Sequence, residues 1–293
     1  MPHRIMTHRL FSFAFAFSLA FIVRAAATEP EILPPSVYTA LDPGIATWQE
    51  RLARENPERF EAHTTTRGDR MVRYRWFAPE TEERLPLVIV LHGSSGKGND
   101  NLTHLITGNS VVGAGWWATP RWQGDQPCFV LAPQCPAGEM WTRTASWTSP
   151  VHPLSPDPAP ALADLMGLLD ELLAAHPIDP ARVYLIGASM GGYGVWDWIV
   201  RAPDRFAAAI AICGGMPEGQ AEKLRDLPLW IFHGENDGIV PVEESRRAFR
   251  EILAAGGRPR YREYQQGPHG VSSYAYLDAG VAEWLFAQRR KGG

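Results

Sequence analysis

Two hydrophobic patterns alternate along this chain. Pro86–Leu91, Cys128–Ala132, Arg182–Ile186, Phe206–Cys213 and Leu229–His233 are short, nearly continuous apolar runs, most of them closed by glycine or proline. Runs of that length without polar alternation fit strands covered on both faces, as in a parallel sheet. Between them, Ala161–Ala175, Tyr193–Val200 and Val242–Ala255 have the spacing of helices, and Tyr274–Arg290 predicts a closing amphipathic helix. Met71–Phe77 alternates apolar and basic residues and predicts a half-exposed edge strand; Tyr261–Tyr264 predicts a short strand. Strand and helix in alternation predict an α/β fold, a mostly parallel central sheet with helices on both faces.

The N-terminal region breaks this pattern. Basic residues in Met1–Arg9, an apolar run over Leu10–Val23 and small residues at Ala25–Ala27 have the layout of a secretory signal peptide over 1–27. The run is too short to span a bilayer comfortably, so a secreted or periplasmic protein with no stable membrane anchor after cleavage is expected. Residues 28–69, rich in Pro, Glu and Ala with one amphipathic patch at Trp48–Arg54, are expected to be a leader that wraps a catalytic domain over 70–293.

Composition narrows this picture. A chain of 293 residues with 45% hydrophobic content has material for one large core, and a net charge of −4 argues against nucleic-acid binding. The three cysteines, Cys128, Cys135 and Cys213, form no metal-ligand spacing. Cys128 and Cys135 are spaced to allow a bridge without requiring one, and buried packing is the plain role for all three. No metal or cofactor is expected, and nothing in the sequence bears on oligomeric state.

The chemistry concentrates at Gly187-Ala188-Ser189-Met190-Gly191, between the Arg182–Ile186 strand and the following helix. This G-x-S-x-G in a strand–turn–helix setting is a nucleophile elbow, which lifts the serine hydroxyl above the sheet and aims a helix N-terminus at it. Serine needs a base and the base needs an anion. Asp237, with Glu235 as the rival, follows the strand ending at His233; His269, the one histidine after that acid, follows Tyr261–Tyr264. All three fall in loops at the same edge of the predicted sheet.

The loop His92–Gly98 follows a buried strand but is no P-loop, because position 91 is Leu and position 98 is Gly. It suits an oxyanion hole, with backbone N–H groups from Met190 and from Ser94, ahead of Ser95. His92 and His233, each followed by glycine at a strand end, are expected to pack or orient loops. Trp116, Trp117, Trp122, Trp141 and Trp147 lie in loops after strands. They are candidates to line an aromatic or sugar-binding pocket, Trp116, Trp117, Trp141 and Trp147 foremost; core filling is the plain alternative.

Five ordered motifs, Leu91–Asn101, Leu131–Pro136, Gly187–Gly194, His233–Pro241 and His269-Gly270, together resemble the α/β-hydrolase superfamily. Within it the chain is similar to compact secreted esterases related to polyhydroxybutyrate depolymerases and feruloyl esterases, a group also described as peptidases of prolyl-oligopeptidase type. The resemblance covers about Met71–Arg290 and is weaker over the Trp-rich insertion. It implies Ser189 as nucleophile, Asp237 as acid and His269 as base, with no cofactor. The expected activity is hydrolysis of a small-molecule or polymer-linked carboxylic ester, with carbohydrate-linked acyl or feruloyl esters in view. A serine peptidase and a catalytically silent carbohydrate-binding protein are the rival expectations.

Overall fold

The computed structural model describes residues 36–37, 43–108, 110–144, 146–149, 151–278 and 280–290. The expected signal peptide and the start of the leader lie outside the described residues. In chain order the elements are β1 (Ser36–Val37), α1 (Pro43–Arg59), β2 (Glu61–Arg67), β3 (Arg70–Phe77), β4 (Leu85–Leu91), α2 (Thr103–Ile106), α3 (Ser110–Trp117), α4 (Pro120–Asp125) and β5 (Phe129–Gln134). There follow α5 (Pro160–Ala175), β6 (Ile178–Ala188), α6 (Met190–Arg201), β7 (Ala208–Ile212), β8 (Leu229–Gly234), α7 (Glu243–Ala254), β9 (Arg260–Gln265), α8 (Ser272–Leu277) and α9 (Val281–Ala287).

These strands make one sheet in the order β1-β9-β8-β7-β6-β4-β5-β3-β2, parallel from β1 to β5 and antiparallel where β3 meets β5 and β2. The apolar runs are central because both of their faces are covered. In β4, Leu87, Ile89 and Leu91 join the core under α5, α6 and α7, while Val88 and Val90 join the core on the opposite face, under α3, α8 and α9. β6 divides in the same way, Val183 and Leu185 against Tyr184 and Ile186. A strand with a helix layer on each side excludes polar residues from both sets of alternate positions, hence the continuous apolar runs.

Three expectations are corrected. The leader does not extend to residue 69 as a wrapping segment: from Pro43 onward it is part of the fold. Buried Asn56 of α1 donates to Leu105 O and Val111 O at 3.0 Å each, and Trp48 packs edge-on against Trp116 at 5.1 Å. Nor is Met71–Phe77 the edge, since Glu61–Arg67 pairs antiparallel outside it along its whole length. A polar, threonine-rich strand carries little apolar signal but suits an exposed edge. Finally, Tyr274–Arg290 is not one helix: α8 and α9 are separated by a break at which Gly280 takes φ +83°.

Candidate active site

β6 ends at Ala188 and α6 begins at Met190, leaving Ser189 alone at the turn with φ 57° and ψ −122°. A β-carbon-bearing residue is strained there, and the surroundings must hold it. They do so from two sides: Ser189 N–H donates to Ile212 O of β7 at 2.9 Å, and Ser189 O accepts from Tyr193 N–H at 3.0 Å. Gly191 lets the turn sit on the end of β4, since a Cβ there would overlap the Leu91 carbonyl. As the first residue of α6, Met190 presents an N–H with no partner inside its helix.

The acid and the histidine arrive from adjacent parallel strands. Asp237 follows β8 and His269 follows β9, and Gly234 allows the two loops to touch, because a Cβ there would overlap the Gly267 carbonyl. His269 Nδ1–H donates to Asp237 Oδ2 at 2.7 Å, and its Nε2 accepts from the Ser189 hydroxyl at 2.8 Å. The Asp237 side chain is fully buried and its Oδ1 accepts from the N–H groups of Ile239 and Val240 at 2.8 and 2.9 Å. Burial alone would raise its pKa, but hydrogen bonds from His233, His269 and Val240 N–H overcome this and hold it well below the usual carboxylate range. Its rival Glu235 is exposed and accepts from Gln266 N–H at 2.9 Å instead. A hydroxyl facing a neutral imidazole that is backed by a buried carboxylate is arranged to lose its proton as it attacks a carbonyl.

Gly93 lies against the elbow, its Cβ position 3.5 Å from Ala188 O and 3.6 Å from Ser189 Cβ. The next residue, Ser94, opens a short 3-10 turn over Ser94–Gly96. Gly93 O accepts from His92 Nδ1–H at 2.6 Å and from Gly96 N–H at 3.1 Å. In a trans peptide the N–H points opposite to the C=O, so pinning Gly93 O fixes the direction of Ser94 N–H. Behind this loop, Trp141 Nε1–H donates to His92 O at 3.1 Å, and Asp100 accepts from Leu102 N–H, Thr103 N–H and Gln134 Nε2 at 2.9, 3.0 and 2.7 Å. The Gly96–Asn101 segment is therefore a brace for the loop.

Residues 160–217, from α5 through the elbow to just past β7, match the model of the prolyl oligopeptidase family. A solved structure described as a thermostable esterase superposes with a TM-score of 0.70 at 38% identity, over 80% of this chain and 64% of that one. A protein of Nocardia uniformis subsp. tsuyamanensis named as an esterase, NocK, is 27% identical over 255 residues, 83% of this chain and 69% of its own length. The chain has an α/β-hydrolase fold. The chain is also 29% identical over 130 residues to poly(3-hydroxyalkanoate) depolymerase C of Paucimonas lemoignei, spanning 44% of this chain but 28% of that protein.

The four tryptophans do not form one pocket in this structure. Trp116 and Trp117 are core residues, stacked edge-on or tilted against Trp122 and, for Trp117, against Phe286. Trp141 is buried under the His92 loop. Trp147 alone is partly exposed, its ring edge-on to Tyr193 at 4.7 Å and its carbonyl accepting from Tyr193 OH at 3.2 Å. The first two look like loop residues in the sequence because α3 is apolar on all sides and shows no helical period. Cys128, Cys135 and Cys213 are all free and buried. Burial pushes the Cys128 and Cys135 thiols up to about 12.

Sequence reasoning left two site residues without a defined partner. His92 and His233 both have their ring nitrogens engaged around the site, and His-Gly at the end of a buried strand was their only signal. Cys213, at φ 47° at the end of β7, places its thiol beside Asp237. Among the described residues, Cys213, His233 and Asp237 bring potential metal-ligating atoms within 4.8 Å of one another. Asp237 Oδ2 there already faces the ring nitrogens of both His233 and His269.

Proposed function

We propose that the protein is an exported carboxylesterase working through an acyl-enzyme. Ser189 is the nucleophile, His269 takes its proton and returns it to the leaving alcohol, and Asp237 holds the imidazole tautomer and stabilises its charged form. Met190 N–H and Ser94 N–H receive the oxyanion of the tetrahedral intermediate. The observation that carries this reading is the continuous hydrogen-bonded series Asp237–His269–Ser189 ending at a strained elbow. The ester preference is supported by the likeness to the thermostable esterase and to NocK. The chain spans 64% of that esterase structure, so its complete activity is part of the proposal.

Trp147 beside Tyr193 is the remaining aromatic candidate for acyl or aromatic-ester recognition. The buried positions of Trp116, Trp117 and Trp141 remove most of the support for a tryptophan-lined sugar site. Export rests on the N-terminal sequence pattern; no described helix is long and apolar enough to cross a membrane.

A fluorophosphonate probe followed by peptide mass spectrometry tests the mechanism, with labelling expected at Ser189 and lost in Ser189→Ala. A panel of acetyl, butyryl and feruloyl esters tests the substrate class. The match to the prolyl oligopeptidase family over 160–217 favours a second reading, a serine peptidase, and faster turnover of proline-containing peptide anilides than of esters would establish it.

A further inference from the structure

Asp237 is held between two histidines. His269 occupies one side; on the other, His233 Nε2 lies 3.2 Å from Asp237 Oδ2 and 3.0 Å from Val240 O. Both of those atoms are acceptors, so His233 Nε2 carries the proton. The opposite nitrogen, Nδ1, is 2.7 Å from Ser245 Oγ and accepts its hydroxyl proton. His233 and Ser245 are both fully buried, so neither ring nitrogen has water to turn to. The two acceptors at Nε2 thus fix the tautomer that makes His233 a donor to the acid, and Ser245, near the start of α7, satisfies the opposite nitrogen and holds the ring.

We propose that His233 is a positioning residue that lowers the basicity of the Asp237–His269 pair, with Ser245 holding its ring in place. This inference rests on the role assigned to Asp237 and His269 above. An N–H donated to Oδ2 draws electron density from the carboxylate atom that also receives His269 Nδ1–H. The carboxylate then stabilises the protonated imidazole less, and His269 remains a neutral base to lower pH. Asp237 is also faced by the Cys213 thiol and by Tyr193, and His233 is faced by Glu263 of β9, itself paired with Arg246 at 2.9 and 2.6 Å. None of these supplies a second N–H to Oδ2. The well-depressed pKa of Asp237, with His233 as its leading hydrogen-bond donor, agrees with the geometry.

The test is the pH dependence of kcat and kcat/KM on p-nitrophenyl acetate for the full chain and for His233→Leu, His233→Gln and Ser245→Ala. Fluorophosphonate labelling and a thermal melt accompany each. Losing the donor is expected to lower kcat roughly 10- to 100-fold with little change in KM, the range for a hydrogen bond to a charged group. It is also expected to move the acid limb of kcat/KM to higher pH in His233→Leu. His233→Gln, which keeps an N–H near the position of Nε2, should restore much of the rate and bring the limb back toward that of the parent. Ser245→Ala, the milder change should His233→Leu not fold, should move the limb in the same direction by less.

A folded His233→Leu or Ser245→Ala protein with its acid limb unmoved overturns the proposal, since simple loosening of the site lowers the rate without that shift. Absence of fluorophosphonate labelling in the parent protein would instead overturn the esterase mechanism on which the proposal rests, so the two failures are distinguishable.

Discussion

The backbone N–H of Cys135 donates to Nε2 of His92 at 2.9 Å. With its other nitrogen donating to Gly93 O, His92 is fully satisfied only as a neutral ring. A proton on Nε2 would face the Cys135 N–H donor to donor. Burial first, and then Lys97, push the His92 pKa down to about 4, against the opposing hydrogen bond to Gly93 O. Its neighbour His104, buried 5.8 Å away, is pushed down to about 3, mainly by burial.

Acid lability follows from that pair. A histidine with a depressed folded pKa binds fewer protons folded than unfolded, so stability is complete above the unfolded pKa of about 6.5 and is lost as pH falls toward the folded value. For His92 this window runs from about 6.5 to about 4 and amounts to something on the order of 3 kcal/mol. Urea melts at pH 7, 6, 5 and 4.5 should show a falling midpoint, and His92→Gln should flatten that slope while lowering activity through the Ser94 loop. A pH-independent midpoint between 7 and 4.5 would contradict the neutral-ring assignment.

Removing members of the Ser189 series should give unequal losses. Ser189→Ala is expected to lower kcat by about 10⁶, as for other serine triads. Asp237→Asn keeps the side-chain shape but lets His269 take the wrong tautomer, at a cost of roughly 10⁴ in kcat. Single-turnover hydrolysis of p-nitrophenyl acetate measures both. Equal rates for Asp237→Asn and the parent would remove Asp237 from the mechanism.

The close approach at Gly191 predicts a substitution that is more damaging than its size suggests. In Gly191→Ala the new methyl group meets the Leu91 carbonyl, backbone that cannot swing aside. A destabilisation of about 1–3 kcal/mol is expected, with disproportionate loss of activity because β4 and the elbow must separate. Thermal denaturation paired with kcat/KM checks this. A neutral substitution would mean that the elbow has room the geometry denies.

Tryptophan truncations separate core from pocket. Trp117→Ala should cost about 3–5 kcal/mol of stability, with unchanged KM in whatever remains folded. Trp147→Ala should be mild in stability and should raise KM for aromatic esters more than for acetate. If Trp117→Ala shifted KM selectively, the buried assignment would be wrong.

The thiols should be silent in the native state. Ellman's reagent is expected to titrate none of the three cysteines until denaturant is added, and a reductant should leave the melting temperature unchanged, because all three are free and enclosed.

The sequence alone determined those features whose physical cause is local. Continuous apolar runs mark strands with two covered faces, so β4, β5, β7 and β8 were legible, as was an elbow whose glycines serve a turn of five residues. The chain order of Ser189, Asp237 and His269 was readable because each follows a predicted strand. Only the tertiary structure decided what depends on neighbours distant in sequence. β2 is a strand because β3 pairs with it, not because its polar residues demand it. Trp116 and Trp117 became core because α1 and α9 cover α3. His92 and His233 gained their partners through Cys135 and Ser245, 43 and 12 residues away. A hydrogen bond between strand ends depends on the sheet's register, and no pattern within a few residues of a histidine carries that information.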